Sequence, residues 1–406
     1  MKDLDKRVAI VTTLQPETHY SRYLIGSLDE RCQGDFTLLI YADKNPCNRH
    51  LDYENLKLVW TPTVWFPLQI VRQALVDKPA IIHVQHEINM YGGPITAILF
   101  PLLLLLLRFT GAKLIVTIHS VVSADQIDAE FMRTFSWSPS KFLIHLARLF
   151  FSFLYHSIAR LADRIIVHAV YMGALLQEHY DVPLAKIVVI PIGVPARPVV
   201  AGELMDLDWP WAALLKGKRV ILYFGYITRR KGMEYLIEAF QKLASRFPNY
   251  VLVLAGGELD YQRDYARSLR EKSAESDWAD QIVFTSFVAG AVIENLFAQC
   301  EFVVLPYTYS ISSSLPLSFA MQYGKPVIAT QLGTLAEEVE DGITGLLVPP
   351  RDVAALVEAM RQLITDGEML RRLSENTRRK GQQRTWMLVA DQTQQVYRHI
   401  RDNLIV

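Results

Sequence analysis

The sequence predicts an α/β protein with two doubly wound domains, each built on a parallel sheet. Short apolar runs of strand length alternate with segments that are apolar at helical spacing, and this alternation occurs in two successive series. Buried strands of a parallel sheet read as continuous apolar runs because helices cover both faces. The chain has 406 residues, which is long for a single core, so two domains of comparable size are expected.

The first series contains seven apolar runs with helical patterns between them. Ligands of such sheets bind at the carboxyl ends of the strands, so the residues that follow each run are candidates for a site. The predicted strands are residues 7–11, 36–41, 56–60, 81–84, 114–118, 165–167 and 187–190.

Residues 197–218 separate the two series. This stretch contains prolines at 198 and 210 and little periodicity, which is typical of a linker. We therefore predict domains over residues 1–198 and 199–385, with the active site in the cleft between them. The predicted strands of the second domain are residues 220–224, 251–255, 282–284, 302–305, 327–329 and 346–348.

The last helical pattern begins at Trp386, after the second sheet is complete. Leu388, Val389, Val396 and Ile400 are apolar at helical spacing. We expect residues 386–406 to form a helix that crosses back to the first domain.

Charge balance and cysteine content restrict the functional classes. Lys plus Arg and Asp plus Glu each number 42, so the formal net charge is zero and no global field favours nucleic acid as a partner. Cys32, Cys47 and Cys300 are too few and too scattered for a disulfide framework or a metal site, which fits a reducing compartment. The first residues lack a signal-peptide pattern, so we expect a cytoplasmic protein.

A serine run within residues 310–330 predicts an anion site. Ser312, Ser313 and Ser314 fall where a loop becomes a helix that begins at Leu315. Free backbone N–H groups, hydroxyl groups and the positive end of the helix dipole converge at such a point, which favours a phosphate. The simpler alternative is that one serine merely caps the helix.

Four motifs between residues 188 and 350 resemble those of glycosyltransferase family four. Their order and spacing match the family over the second half, and a weaker resemblance in the first half rests on residues 163–194 and on Thr117-Ile-His-Ser120. The resemblance implies the GT-B fold, with two Rossmann-like domains facing across a cleft, and retaining transfer of a hexose from a nucleotide diphosphate sugar. The motifs are Val188-Val-Ile-Pro-Ile-Gly-Val194, Tyr223-Phe-Gly-Tyr-Ile-Thr-Arg-Arg-Lys-Gly232, Gly324-Lys-Pro-Val-Ile-Ala-Thr330 and Asp341-Gly-Ile-Thr-Gly-Leu-Leu-Val-Pro-Pro350.

The resemblance assigns donor-binding roles to a basic turn. Lys231, which precedes a glycine at a helix start, is similar to the lysine that meets the donor diphosphate, and we expect it to be exposed. Arg229 and Arg230 are both candidates for the accompanying arginine, because the family's usual position holds Tyr226 here. Together with the serine run and Leu315 they form the predicted donor site. Taken alone, the basic turn is equally consistent with a solvated surface.

Histidines at strand ends supply the other candidates. His119 is similar to the family's histidine close to the sugar and the scissile bond, so His119 and Lys231 are the predicted catalytic residues, although a lone histidine there is more often structural. His86, Glu17 and His19 are expected on the acceptor side. The resemblance implies no metal, because lysine, arginine and helix dipoles neutralise the diphosphate.

The sequence departs from the family pattern at two places. The positions of the family's paired glutamates hold Ile311 and Phe319, so the carboxylate contacts to the donor sugar are missing, as in a subgroup with a serine-rich loop. The usual Gly-Gly loop after the first strand is replaced by Leu14-Gln-Pro-Glu-Thr-His-Tyr20.

Two apolar segments indicate contact with a membrane surface. A transmembrane span is rejected for residues 94–107, because they are shorter than the roughly 20 residues that a spanning helix needs and Pro101 interrupts them. Residues 141–162 are apolar with one narrow basic stripe, which fits a helix in the interface of an anionic membrane, or else a helix packed under the first sheet. The stripe consists of Lys141, His145, Arg148, Ser152, His156 and Arg160, and the aromatic residues expected to be exposed before it are Phe131, Phe135 and Trp137.

These expectations define the predicted function. The chain is expected to move a hexose from a nucleotide-sugar donor to a saccharide or lipid-linked acceptor in polysaccharide or glycolipid assembly, in the cytoplasm and peripherally at the inner face of the membrane. The absent glutamates support an alternative, a catalytically silent GT-B protein that binds a nucleotide sugar or a partner at the membrane.

Overall fold

Two parallel sheets covered by helices organise the protein. The computed structural model describes residues 6–15, 20–32, 34–134, 137–195, 209–288 and 290–402. Every strand predicted from the apolar runs is present, with bounds within two residues of those expected. The α/β prediction with two doubly wound sheets is therefore confirmed.

The first sheet has seven parallel strands in the order β3-β2-β1-β4-β5-β6-β7. Strand β1 pairs with β2 on one side and with β4, the central strand, on the other, so that Val8 aligns with Leu38 and Ile81. The strands are β1 (Arg7–Thr12), β2 (Thr37–Asp43), β3 (Leu56–Trp60), β4 (Ile81–His86), β5 (Lys113–Ile118), β6 (Arg164–Val167) and β7 (Ile187–Val189).

The second sheet has six parallel strands in the order β10-β9-β8-β11-β12-β13. The boundary predicted at residue 198 lies outside the described residues, and description resumes shortly before this sheet begins. The strands are β8 (Arg219–Phe224), β9 (Tyr250–Ala255), β10 (Ile282–Phe284), β11 (Phe302–Leu305), β12 (Val327–Thr330) and β13 (Gly345–Val348).

Helices connect the strands of both sheets. Those of the first half are α1 (Tyr20–Arg31), α2 (Phe66–Asp77), α3 (Pro94–Ile98), α4 (Phe100–Arg108), α5 (Ala129–Thr134), α6 (Lys141–Leu161) and α7 (Val170–Tyr180). Those of the second half are α8 (Ala212–Leu215), α9 (Met233–Ala244), α10 (Arg263–Ala274), α11 (Ala291–Gln299), α12 (Leu315–Gln322), α13 (Gly333–Glu338), α14 (Val353–Thr365), α15 (Gly367–Gln382) and α16 (Trp386–Asp402).

The C-terminal helix α16 lies on the first domain, against α1. Its Trp386, Val389 and Tyr397 are buried in the same apolar cluster as Leu24 of α1. A Cβ atom at Gly193 would lie 2.6 Å from the Trp386 ring, so only glycine allows this close approach. The chain thus returns to cover the first sheet after completing the second.

Helix α6 is packed at its C-terminal half and exposed at its N-terminal half. Phe151 and Ile158 are fully buried, whereas Phe142 is 74% exposed. Among the described residues, this helix has the length and apolar composition of a membrane-spanning segment, but its buried half belongs to the domain core. The expected exposure of Phe131 is wrong, because it is 1% exposed.

The other two aromatic residues predicted before α6 differ in status. Trp137 is half-buried and its ring contacts that of Phe131 edge to face, at a centroid separation of 6.3 Å. Phe135 lies outside the described residues. Phe131 and Trp137 therefore pack on each other, in an arrangement that aromatic pairs favour.

The two domains contact each other beside the predicted site. The backbone N–H of Val121 donates to the Ile311 carbonyl at 2.8 Å, and Ser120 forms an antiparallel bridge with Ser312. The Glu337 carboxylate accepts hydrogen bonds from the first backbone N–H groups of α7, and Arg351 pairs with Glu130. Hydrogen bonds and an ion pair therefore join the segments of the two domains that lie beside the cleft.

Candidate functional site

The basic turn places Lys231 at the start of α9. Residues Arg229–Lys231 form a 3₁₀ turn, and Gly232 follows with a φ of 64°. A Cβ atom at Gly232 would lie 2.1 Å from the Pro306 carbonyl oxygen, so both the conformation and the space require glycine. The turn consequently presses against the loop that follows β11.

Lys231 is buried rather than exposed, which corrects the sequence-based expectation. Its side chain is 9% exposed, and its ammonium lies 3.4 Å from the centroid of the Tyr307 ring. Burial, together with the nearby Arg230 charge, holds the pKa of Lys231 well below its usual range, and Glu87 acts in the opposite direction. The electron-rich face of the Tyr307 ring attracts the cation and so partly compensates for the loss of its hydration.

Tyr307 links the lysine to the serine run. Its hydroxyl lies 3.2 Å from the Ser314 hydroxyl, while its ring lies under Lys231. Ser314 precedes α12 and makes no side-chain hydrogen bond to the first turn of that helix. Ser314 therefore does not cap the helix through its side chain, and it shares the contact with Tyr307 that Lys231 also makes.

The rest of the serine loop is fixed by α13. The Thr334 hydroxyl donates to the Ser312 carbonyl at 2.9 Å and lies 3.2 Å from the Ser310 hydroxyl. Ser313 lies beside Glu338, whose pKa is raised by burial, while Arg384 and the Ser313 hydroxyl act to lower it. Leu315 is half-buried at the first position of α12.

The side chains of the two arginines of the basic turn have different neighbours. The exposed Arg229 guanidinium lies 4.8 Å from the centroid of the Tyr265 ring, towards α10. Arg230 is half-buried, and its charge acts on Lys231, Glu87 and Tyr307. Arg230 therefore shares the lysine's surroundings and Arg229 does not.

The residues at the positions of the family's glutamates are both buried. Ile311 is 4% exposed and lies in the apolar cluster of the first domain, although it belongs to the second. Phe319 is 4% exposed and its ring stacks on Phe297 at a centroid separation of 5.3 Å. Both side chains therefore serve packing.

His119 follows β5 and lies in a buried polar network. Its Nε2 is 2.8 Å from Gln85 Oε1, and its Nδ1 is 2.9 Å from His168 Nε2. Its backbone N–H donates to the His86 carbonyl at 2.9 Å, and the Tyr20 ring contacts its ring at a centroid separation of 4.7 Å. The predicted catalytic histidine is thus fixed on several sides.

The network continues to the C-terminal helix. His83 Nε2 lies 2.7 Å from the Thr117 hydroxyl and 3.2 Å from the Gln85 amide nitrogen, and His83 Nδ1 lies 2.7 Å from the Tyr397 hydroxyl. Burial lowers the pKa of His83 to about 3 and that of His168 to about 4. Both rings are neutral at ordinary pH, and His168 Nδ1 donates to the Ile190 carbonyl at 3.0 Å.

The acceptor-side expectations have a different outcome. His86 is 2% exposed, and its ring lies on Phe100 at a centroid separation of 4.2 Å. Burial lowers its pKa to about 3, so the ring is neutral at ordinary pH, and an acceptor-side role for His86 stays a prediction. Glu17 and His19 lie outside the described residues.

Glu87 is a candidate site residue that the sequence analysis did not single out. It directly follows His86 at the carboxyl end of β4, is exposed, and accepts a hydrogen bond from the Ser120 hydroxyl at 3.4 Å. Although the residue as a whole is exposed, desolvation of its carboxyl group by the surrounding protein raises the pKa of Glu87, while Arg230, the Ser120 hydroxyl and Lys231 act to lower it. Its place after an apolar strand was the available signal, because a parallel sheet binds ligands at that edge.

A metal centre has no support in the part of the chain that the structure describes. Three or more His, Cys, Asp or Glu side chains do not cluster there in a way that would hold a metal ion. Lys231, Arg230 and the backbone N–H groups at the start of α12 supply positive charge to the site, which suits an anionic ligand.

Two parallel α/β domains that face each other across a cleft, with a buried lysine and a helix start at the cleft, define the GT-B class of proteins. A model described as Glycosyltransferase Family 4 matches residues 41–197, and one described as Glycosyl transferases group 1 matches residues 208–380. Together these matches include most of both domains. The chain belongs to glycosyltransferase family four, as its motifs indicated.

The matches to curated relatives cover only part of this chain and part of each relative. Alpha-D-kanosaminyltransferase of Streptomyces kanamyceticus is 31% identical over 166 residues, which is 40% of this chain and 40% of the relative. Glycogen synthase of Mycobacterium tuberculosis is 29% identical over 245 residues, or 59% of this chain and 55% of the relative. The match thus spans two fifths to little more than half the length of these relatives.

Solved structures resemble the whole chain. HepE of Anabaena, in complex with UDP-glucose, has a TM-score of 0.72 at 16% identity, with 96% of this chain and 98% of HepE covered. Sucrose-phosphate synthase of Thermosynechococcus elongatus has a TM-score of 0.72 at 20% identity, with coverage of 97% and 99%. At such identities the likeness shows the shared GT-B fold.

Proposed function

We propose that this protein transfers a hexose from a nucleotide diphosphate sugar to a saccharide or lipid-linked acceptor, with retention at the anomeric carbon. The observation that carries the proposal is the buried cation Lys231. A buried ammonium is costly unless an anion compensates it, and the contacts of Lys231 are the Tyr307 ring and more distant charges. A diphosphate placed between the basic turn and the serine loop supplies that compensation.

The charges of the site act on the leaving group in this proposal. Lys231, Arg230 and the start of α12 stabilise the negative charge that builds on the departing diphosphate, and preorganised groups do this at low cost. His119 lies at the carboxyl edge of the first sheet, where it bounds the space for the transferred sugar. This arrangement assigns no step to a metal.

Relatives and neighbours support a nucleotide sugar as donor. Curated relatives bear names of glycosyltransferases, and HepE has been crystallised with UDP and with UDP-glucose. The same GT-B fold in this chain makes a nucleotide diphosphate sugar the ligand class to test first.

A binding screen followed by a hydrolysis assay tests the function. Purified protein is titrated with UDP, GDP and their glucose and mannose derivatives, and release of nucleotide is then measured with and without saccharide or lipid acceptors. We expect binding of at least one nucleotide sugar and slow release without an acceptor. Binding without turnover towards any acceptor or water would favour the catalytically silent alternative, and absence of all binding would contradict both.

We further propose that the first domain works at the surface of an anionic membrane, at its cytoplasmic face. The supporting observation is an apolar surface on neighbouring helices, since α4 packs against both α2 and α6. We define the apolar face by its exposed side chains on these helices and on the short α3. They are Leu68, Leu75, Ile95, Ile98, Leu102, Leu105, Phe142, Leu146, Leu149 and Phe153.

Basic residues border this apolar face. Lys141, His145 and Arg160 of α6 are exposed, and Arg108 closes α4. Arg148 is also exposed, but its Nε donates to the Ile127 carbonyl at 3.0 Å, so it serves the fold as well. Apolar side chains next to cations are suited to lipid tails beneath anionic headgroups.

A further inference from the structure

The family's loop glutamates are absent, which raises the question of which carboxylate meets the sugar. Their positions hold Ile311 and Phe319, both buried by packing. Neutral sugars are recognised through their hydroxyl groups, for which a carboxylate is a strong hydrogen-bond acceptor. A carboxylate from elsewhere in the chain is therefore the feature to look for.

Glu87 lies between the two halves of the candidate site. Ser120, the residue after His119, donates to its carboxylate at 3.4 Å, and Ser120 also forms the bridge to Ser312 in the serine loop. The charges of Arg230 and Lys231 reach it from the second domain. Glu87 is thus placed between the histidine and the lysine, where the proposed function places the transferred sugar.

In the described part of the chain, four other carboxylates near the domain boundary have partners of their own. Each accepts hydrogen bonds or pairs with a cation across or near the interface, and so holds the fold. These are Glu337 on the start of α7, Glu338 with Arg384, Glu130 with Arg351, and Asp128 with Tyr309. Glu87, by contrast, is exposed and has one long hydrogen bond from Ser120.

We propose that the Glu87 carboxylate binds hydroxyl groups of the transferred sugar, in place of the carboxylates missing from the serine loop. This inference rests on the proposed function and adds a specificity-determining residue from the first domain. In the free protein, Glu87 also balances the cations Arg230 and Lys231, and the donor diphosphate takes over that balance when it binds.

The charge of Glu87 affects the binding of the two parts of the donor in opposite directions. The carboxylate repels the diphosphate and attracts the sugar hydroxyl groups. Removing the charge with Glu87→Gln therefore leaves the affinity for the nucleotide diphosphate unchanged or increased, and weakens the added affinity that the sugar provides. A hydrogen bond to a charged group accounts for a factor of about ten or more.

Titration calorimetry of the whole protein tests this assignment. The dissociation constants of UDP, UDP-glucose, GDP and GDP-mannose are measured for the wild type, Glu87→Gln and Ser120→Ala. The control Glu54→Gln removes an exposed glutamate from the same domain, before β3. For the nucleotide sugar that the wild type prefers, we expect Glu87→Gln to lower the ratio of diphosphate to nucleotide-sugar dissociation constants about tenfold, Ser120→Ala to lower it less, and Glu54→Gln to leave it unchanged.

Two results would overturn the assignment while leaving the proposed function intact. One is an unchanged ratio in Glu87→Gln, and the other is parallel weakening of diphosphate and nucleotide sugar, which indicates a purely structural role. A wild type that binds no nucleotide at all would instead refute the proposed function, and the role of Glu87 with it. Circular dichroism of each variant shows that the fold is retained.

Discussion

The Tyr397 hydroxyl lies 2.7 Å from Nδ1 of His83, although 314 residues separate them in the chain. This contact joins the C-terminal helix to the central strands of the first sheet, and both residues are fully buried. Through Gln85 the same network reaches His119 at the cleft. The last helix is therefore tied to the candidate site as well as to the core.

Tyr397→Phe should destabilise the protein without changing its shape. The substitution removes the hydroxyl and leaves a buried imidazole nitrogen without its partner, which costs about 1–3 kcal/mol. Denaturant unfolding followed by fluorescence measures the loss. Tyr226→Phe, at an exposed tyrosine, is the matched control and should change the free energy of unfolding by less than about 0.5 kcal/mol. Equal stability of the two variants would contradict the role assigned to this contact.

Acid should destabilise the protein through its buried histidines. The folded-state pKa values of His83 and His168 are about 3 and about 4, against an ordinary value of 6.5. Between pH 6.5 and about 4 the unfolded chain binds more protons, so the free energy of unfolding falls as pH falls, by about 2 kcal/mol for each histidine at pH 5.

The contribution of one histidine is separable by substitution. The slope of unfolding free energy against pH is proportional to the number of protons taken up on unfolding, and His168→Gln should reduce that number by about one in this range. The variant is also expected to be less stable than the wild type at neutral pH. His145→Gln, at an exposed histidine of α6, is the control substitution. Denaturant titrations at half-unit pH intervals measure both slopes, and equal slopes would show that His168 is not kept neutral by the fold.

Lys231→Met should abolish most of the catalytic rate while keeping the buried volume filled. Loss of one well-placed electrostatic donor lowers the rate by about a hundredfold or more, and the effect on donor affinity should be smaller because the charge builds in the transition state. Steady-state kinetics with the donor found in the screen measure both quantities. Lys242→Met, at an exposed lysine of the helix α9 that follows the basic turn, is the control. A change in affinity alone would favour the silent binder.

Glu337→Gln should loosen the contact between the domains. Its carboxylate accepts from the backbone N–H groups of Val170 at 2.9 Å and Tyr171 at 2.8 Å, at the positive end of α7. Removing the charge should speed hydrogen exchange of these two amides about fivefold, which corresponds to about 1 kcal/mol. Glu340→Gln, which removes a nearby carboxylate paired with Lys380, should have no such effect. Unchanged hydrogen exchange in both variants would show that the Glu337 carboxylate does not stabilise the contact between the domains.

Vesicle binding tests the apolar face. Phe142→Ser with Leu146→Ser should weaken binding to anionic vesicles at least tenfold, because each side chain contributes about 1.5–3 kcal/mol when buried in lipid. Lys141→Glu with Arg160→Glu should weaken it through the charges, worth about 1 kcal/mol each and reduced by salt. The control Phe287→Ser with Ile343→Ser changes exposed apolar residues of the second domain. If all three double variants sediment with vesicles like the wild type, α6 is a packed surface helix only.

The sequence by itself determined the elements and their order. Apolar runs located both sheets, and the Gly232 and serine motifs located the basic turn and the helix start at α12. These features are predictable because periodicity, turn chemistry and motif spacing depend on residues that are close together in the chain.

Only the tertiary structure decided which side chains share one environment. It placed Arg230 rather than Arg229 with Lys231, buried Phe131, and inserted Ile311 of one domain into the core of the other. It also brought Glu87 to the lysine, more than a hundred residues away in sequence. Burial and electrostatic environment arise from contacts between distant segments, and no local pattern encodes which segments meet.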